Sequence, residues 1–258
     1  MNIVITGASS GIGKNLAENF RAAGHNVIGL SRNVASSSDI ACDVSNIESI
    51  ESAFQEIFKR FERIDLLINN AGFGISGATE LISNEDAHKI FETNFFGVLN
   101  CSRYALPLMK NGARIVNISS VCAMFPLPFR ALYSASKASV NLLSSSMRME
   151  LAPAGIDITC ICPGDTKTNF TKNREKNFAT NERYESRIEN ATKRIDKNEN
   201  KRMSANKVSK KIEKICLKRK TKPIYIIGAK YKFLNFLTKI FPFSLLVKAT
   251  EKLYGGRK

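Results

Sequence analysis

No apolar run in the 258 residues approaches the roughly 18 that a membrane-spanning helix needs, so no bilayer crossing is expected. No signal peptide precedes the first apolar segment, which starts at Asn2, and the expected address is the cytoplasm. Metal-ligand spacing is lacking too. Cys42, Cys101, Cys122, Cys160, Cys162 and Cys216 are scattered over predicted strands, helices and loops, with Cys160 and Cys162 in one apolar strand, and all are expected to be reduced core thiols. No metal site is therefore predicted. Acidic residues are scarce in one region only. Of the net charge of +16, residues 1–170 supply 14 basic and 15 acidic side chains, whereas residues 171–258 supply 25 and 8. Such a basic segment reads as a solvated, helix-rich lysine face or as a surface for an anionic partner. Few aromatics interleave its basic residues before Lys222, so nucleic acid is not an expected partner.

What is present suits one large α/β domain whose core needs no staples. Asn2–Thr6 is a short apolar strand that runs into Gly7-Ala-Ser-Ser-Gly11-Ile-Gly13 and then a helical pattern from Lys14 to Ala23. The glycines allow a tight turn, close approach of backbone to a phosphate and close packing of helix on strand. Amides at the helix start then face a pyrophosphate. A second strand, Asn26–Leu30, ends in Ser31-Arg32, where a dinucleotide fold reads the adenosine ribose. A guanidinium there can grip a 2′-phosphate with paired N–H groups, so Arg32 argues for NADP(H) over NAD(H). Ser10, in the glycine turn, is not basic and adds no second phosphate contact.

A third strand over Asp39–Val44 brings Asp43 toward the adenine, and a fourth, Ile64–Ile68, closes in Asn69-Asn70-Ala71-Gly72. The two asparagines either touch the cofactor or hold adjacent strands together. A long helical pattern from Asp86 to Lys110 is interrupted at Asn94, whose amide disfavours a helix interior unless it bonds backbone or holds a water. The buried strand Arg114–Ser119 leads to Ser120, which can aim its hydroxyl at a substrate oxygen. Ser119 is the alternative, but neighbouring strand residues face opposite ways. Tyr133 and Lys137 stand four apart at the mouth of a helix that continues to about Leu151, so phenol and ammonium share one side. A fixed cation favours the ionised phenol and brings its pKa toward working pH, making Tyr133 a candidate proton donor or acceptor for an alcohol or ketone. A sixth strand, Asp157–Cys162, leaves through Pro163-Gly164-Asp-Thr166-Lys-Thr168, and Pro223–Gly228 restores a last one.

Thr6–Gly13, Asn69–Gly72, Asn94, Ser120, Tyr133-Ser-Ala-Ser-Lys137 and Pro163-Gly164 resemble, in order and spacing, the short-chain dehydrogenase/reductase family. The likeness spans roughly residues 1–228. It implies a doubly wound parallel sheet of Rossmann type, about seven strands with helices on both faces, and hydride transfer at a nicotinamide. Carried over, Tyr133 is the proton donor or acceptor and Ser120 binds the reacting oxygen. Lys137 lowers the tyrosine pKa and binds the nicotinamide ribose, and Asn94 holds a relay water. The expected cofactor contacts are Gly7, Ser9, Ser10, Gly11, Ile12, Gly13, Ser31, Arg32, Asp43, Val44, Asn70, Ala71, Gly72, Tyr133, Lys137, Pro163, Gly164, Thr166 and Thr168. His25 and His88 match nothing catalytic in the family.

The resemblance also makes residues 171–222 a basic, helical substrate lid closing a catalytic domain over 1–228, and leaves 229–258 as a basic, apolar C-terminal tail. That tail is broken at Pro242 and interleaves lysines with apolar residues, which suits core covering, packing between subunits, or peripheral contact with an anionic membrane. Family members of this kind form dimers or tetramers through the helices over 86–110 and 133–151. Phe73, Val121, Met124, Phe125, Leu127, Phe129 and Phe170 are the expected pocket, and their apolar character points to a lipophilic secondary alcohol or ketone, first a hydroxysteroid, otherwise an acyl, retinoid or small aliphatic carbonyl. A competing reading is an NADP(H)-sensing protein without turnover. The presence of Ser120, Tyr133 and Lys137 together counts against it, since a sensor has no physical need of a tuned phenol.

Overall fold

The computed structural model describes residues 1–168, 170, 174–196 and 202–254. Seven strands form one parallel sheet: β1 (Asn2–Thr6), β2 (Asn26–Ser31), β3 (Ile40–Ala41), β4 (Leu66–Asn69), β5 (Arg114–Ile118), β6 (Asp157–Pro163) and β7 (Ile224–Ile227). Their spatial order is 7-6-5-4-1-2-3. Register follows the apolar runs, with Ile3 opposite Val27 and Leu66, and Leu67 opposite Ile115. Runs without polar alternation are what a sheet covered on both faces requires.

Successive side chains still part to opposite faces. Val4, Leu67, Ile115 and Ile158 pack with Ile50, Phe54 and Ile57 of α2 (Ile47–Arg60) and Met147 of α5 (Ala131–Leu151). Ile3, Ile5, Leu66, Ile68 and Val116 pack on the other side with Leu16 and Phe20 of α1 (Gly11–Ala22) and Val208, Ile212 and Ile215 of α7 (Ala205–Cys216). Each large apolar side chain so buried is worth roughly 1.5–3 kcal/mol, which makes these two layers the main source of stability. Strand order reverses its direction between β1 and β4, and the crevice outside the carboxyl ends of those strands is where a doubly wound sheet takes its ligand.

The interruption expected at Asn94 is a π-helical turn, Glu92–Phe96, between α3 (Asn84–Phe91) and α4 (Gly97–Ala105). Polar atoms inside the sheet region are joined in a chain. The Asn69 amide donates to Ser102 Oγ at 3.0 Å and to Asn117 Oδ1 at 2.8 Å, and Asn117 donates to Ser144 Oγ at 2.9 Å. Asn69 is therefore a strand-holding residue that ties β4 to β5 and α4.

Part of the segment 171–222 packs on the sheet. Its helix α7 buries Val208, Ile212, Ile215 and Cys216 against α1, and Ser209 Oγ donates to the Ile12 carbonyl at 3.2 Å, so this helix is part of the sheet's cover. Among the described residues of the expected lid, Arg174, Glu175 and Arg202 line the cavity at the strand ends, and 187–196 forms α6 (Arg187–Asp196). Residues 171–173 and 197–201 of the expected lid, and 255–258 of the tail, lie outside the described residues. The tail forms α8 (Ala229–Ile240) and α9 (Phe243–Tyr254), parted at Pro242 as expected. Tyr231, Leu234 and Leu246 cover Cys160 and Cys162, while Phe233, Phe236, Phe243 and Leu253 face outward. All six cysteines are free and buried, and no cluster able to hold a metal occurs among the described residues. No helix among them is long and apolar enough to cross a membrane.

Candidate active site

Above the strand ends lies a cavity of about 730 Å³. Its floor is the turn between β1 and α1. Gly7 has φ +67° and Gly11 φ +56°, a left-handed backbone in which any other residue would be strained. A side chain on Gly13 would place Cβ 2.3 Å from the Gly7 carbonyl, so Gly13 lets α1 sit close on β1 and does not itself line the cavity. Gly7, Ser9, Ser10, Gly11 and Ile12 do line it. The end of β4 is fastened to this turn: Thr6 Oγ1 accepts from the amides of Asn70 and Ala71, both at 2.9 Å, and Asn70 Nδ2 donates to the Thr6 carbonyl at 3.0 Å.

One end of the cavity is lined by Ser31, Arg32, Asp43 and Val44, together with Asn33 and Ser45. Arg32 is exposed there, and Ser31 is engaged locally, donating to the Asn33 carbonyl at 2.7 Å. Burial would raise the Asp43 carboxyl, but the Ser45 hydroxyl at 2.7 Å, the Ser45 amide at 3.0 Å and the Arg32 charge together hold it below the usual range. Asp39, the other acid of this region, is turned under β2, where it accepts from Gly29 N at 2.7 Å and pairs with Arg21. Glycines with no room for a side chain, an exposed arginine and an ionised aspartate fit a nicotinamide dinucleotide.

At the other end α5 and the strand end of β5 bring Ser120, Tyr133 and Lys137 together on one wall, with all three buried. The Ser120 hydroxyl lies beside the phenol, whose pKa it draws downward, and accepts from Cys122 N at 3.1 Å. Ser119 is excluded as its substitute, because its hydroxyl donates to the Lys137 carbonyl at 3.0 Å. Lys137 Nζ donates to the Ile118 carbonyl at 3.0 Å, and burial holds its pKa down to about 8. The phenol differs from the expectation. Burial and the neighbouring Cys122 push it up to about 12, against the opposing influence of Arg130, Ser120 and Arg174. The cations that act on Tyr133 here are the two arginines, and desolvation outweighs them.

Asn94 is wholly buried and does not line the cavity. Its Oδ1 accepts from Phe73 N and its Nδ2 donates to the Phe73 carbonyl, both at 3.0 Å, and Nδ2 also donates to Ser136 Oγ at 3.1 Å. Of the two tasks open to this amide, the structure shows backbone bonding. Pro163, Gly164, Thr166 and Thr168 close the cavity from the β6 side, where Tyr231 of α8 lies against Gly164 and donates to Asp165.

The expected apolar pocket is only partly assembled. Phe73, Val121 and Phe170 line the cavity, with the Phe170 ring 5.7 Å from that of Tyr133. Met124 and Phe125 instead pack with Val98, Val140 and Cys160 over the sheet, and Leu127 lies behind Tyr133 against Ile75 and Ile90. Phe129, at φ +60°, sends its ring to Tyr184 at 6.0 Å. In place of those four stand Arg130, Arg174, Lys89, Glu175, Cys122 and Thr93. Arg130 was readable from its spacing, since a residue three before Tyr133 shares its helix face. Arg174 and Glu175 carry no such signal.

The family described as short chain dehydrogenase matches residues 1–179. A 3-ketodihydrosphingosine reductase of Bacteroides thetaiotaomicron is 40% identical over 76% of this chain and 76% of its own length. A 3beta-hydroxysteroid dehydrogenase of Mediterraneibacter gnavus is 32% identical over 69% and 70%. Among solved structures, a short-chain dehydrogenase from Streptomyces avermitilis superposes with a TM-score of 0.83 at 30% identity, covering 97% of this chain and 94% of that one.

Proposed function

The chain belongs to the short-chain dehydrogenase/reductase family and acts on CH–OH groups, and we propose that it interconverts a secondary alcohol and a ketone on a lipophilic substrate with NADP(H). The observation that carries this reading is a cavity that joins the glycine turn and Arg32 to Ser120, Tyr133 and Lys137. When bound, the nicotinamide supplies or accepts the hydride. The chain's own groups handle the oxygen and the proton. In the reducing direction Tyr133 Oη gives its proton to the carbonyl oxygen and Ser120 donates a hydrogen bond to that oxygen as charge builds on it. In the oxidising direction the same phenol must accept the proton, which its raised pKa favours once it has ionised. Lys137, anchored on the Ile118 carbonyl, holds a charge beside the sugar of the cofactor, and Asn94 fixes the Phe73 backbone that walls the reacting end.

Gly7, Ser9–Gly11, Arg32, Asp43, Asn70–Gly72, Thr166 and Thr168 are the proposed cofactor contacts, with Arg32 on the 2′-phosphate. A hydroxysteroid-type substrate agrees with what the Mediterraneibacter relative is named for, and Phe73, Val121 and Phe170 offer it apolar contact. Exposed Leu142 and Met149 on α5 suit self-association. The outward apolar face of α8 and α9, rimmed by Lys230, Lys232, Lys239 and Lys248, suits peripheral contact with an anionic bilayer, for which retention on anionic vesicles that is lost on neutral ones is the test.

Turnover tests the main reading. Purified protein is given NADPH or NADH with steroid, retinoid, acyl and small aliphatic ketones, beside Tyr133→Phe. Reduction by NADPH that the variant lacks is expected. A variant that binds NADPH and turns over at the full rate would refute the role of Tyr133, and a preference for NADH would refute that of Arg32.

A further inference from the structure

Beside the phenol stands a cation that no described residue neutralises. Arg130 is 6% exposed, and its guanidinium carbon lies 4.8 Å from the centre of the Tyr133 ring. A ring face attracts the charge but accepts none of the five N–H donors in the way an oxygen does. The Nε of Arg130 is buried without a hydrogen-bond partner, and no ion pair or side-chain hydrogen bond of Arg130 occurs among the described residues.

The acids that share the cavity are already engaged. Asp43 is bound by Ser45 at the far end, Asp165 accepts from Tyr231, and Glu175 is paired with Lys89 at 2.8 Å. Arg174, 7% exposed, lines the same wall and adds its charge to the field at the phenol. Arg130 also stands at the N-terminus of the 21-residue α5, which has no side-chain cap and no acidic residue in its first turn. Helix and guanidinium therefore favour negative charge at one place. A buried cation without a counter-ion is costly, and the cost is relieved only by what enters the cavity.

We infer that Arg130 receives an anionic group of the substrate, a carboxylate or phosphate held close to the reacting carbonyl, so that the enzyme acts on acidic lipophilic ketones or alcohols in preference to neutral ones. This rests on the proposed alcohol–ketone chemistry and narrows its substrate class. Arg130 is a specificity residue in this scheme, since the proton is moved by Tyr133.

The test is binding, kept separate from turnover. Protein saturated with NADPH is titrated by calorimetry with decanoate, decanamide and decylammonium, and the series is repeated with Arg130→Gln and Arg130→Lys. Decanoate is expected to bind roughly 30-fold or more tightly than decanamide, with decylammonium weakest, and Arg130→Gln should abolish the preference while Arg130→Lys keeps part of it. Equal binding of decanoate and decanamide to the unaltered protein overturns the inference even if neither variant folds. So does a preference that survives Arg130→Gln, or an Arg130→Gln variant that loses NADPH affinity tenfold with its preference intact. Absence of ketone reduction with the decanoate preference present would count against the proposed reaction and not against the anion site.

Discussion

Replacing Gly72 by alanine tests the packing at the centre of the site. A Cβ there would lie 2.8 Å from Asn94 Oδ1, closer than real contacts allow, and 3.2 Å from Lys137 Nζ, tighter than most. Neither neighbour is free to give way. Asn94 is wholly buried and bonded to both backbone groups of Phe73 and to Ser136, while Lys137 is anchored on the Ile118 carbonyl. Overpacking of this kind costs about 1–3 kcal/mol, which for a chain of this size lowers the melting temperature by roughly 2–12 °C. The functional loss should be larger than the stability loss, because a shift of about 1 Å in a positioned group can cost on the order of 100-fold in rate. Thermal unfolding and steady-state reduction are measured together, with Gly24→Ala as the comparison. Gly24 has φ +79° and nothing within 4 Å of its added Cβ, so alanine there should cost stability through strain and leave kcat unchanged. A Gly72→Ala protein with unaltered melting and near-normal kcat would show that Asn94 and Lys137 are not held as described.

Tyr133→Phe should lower kcat by roughly 100-fold or more while the Kd for NADPH, read by cofactor fluorescence, stays within about threefold. Arg32→Ser should raise the KM for NADPH by about 10–100-fold and leave that for NADH within about threefold, as expected for loss of a charged grip on one phosphate. With the phenol pushed up to about 12, its ionised fraction rises tenfold per pH unit, so alcohol oxidation should climb about tenfold per unit from about pH 6 to 7, below the titration of Lys137, while ketone reduction stays flat, as initial rates in the two directions would show. Lys137 is held down to about 8, so the folded chain carries a penalty that is full below pH 8 and fades as pH rises toward the ordinary lysine value. Lys137→Met should therefore gain about 1–3 kcal/mol in urea unfolding at pH 7, with the gain shrinking at pH 9 and activity lost.

Much of this architecture could be read from the chain because it rests on local patterns. Apolar runs such as Ile3–Ile5 and Leu66–Ile68 mark strands buried on both faces, and the four-residue step from Tyr133 to Lys137 sets both on one helix face. Less is legible where composition hides geometry. In α7 the lysines dominate the composition, and the stripe of Val208, Ile212, Ile215 and Cys216 that seats it on α1 is visible only when the helical period is followed through them. Pattern alone made the segment before Tyr133 a row of apolar pocket residues. The left-handed backbone at Phe129 takes its ring outward and leaves Arg130 to face the cavity. Spacing also says nothing about desolvation, which is why the phenol was expected lower and is found higher.

The reacting end of the cavity concentrates groups that weaken a fold: a desolvated lysine, a desolvated arginine without a counter-ion among the described residues, and a non-glycine residue at positive φ. Each costs on the order of 1–3 kcal/mol or more, and the Ile118 carbonyl on Lys137 and the Tyr133 ring under Arg130 offset only part of it. Their placement is therefore upheld by the elements that carry them, the 21-residue α5 packed on β6 and the buried Ser102–Asn69–Asn117–Ser144 chain that joins β4 and β5 to α4 and α5. A scaffold this firmly bonded can hold a phenol and three cations in one apolar wall before anything binds. Binding an anionic substrate would then relieve the charge excess where the carbonyl must sit, so the groups that destabilise the free protein are the ones that select and orient its substrate.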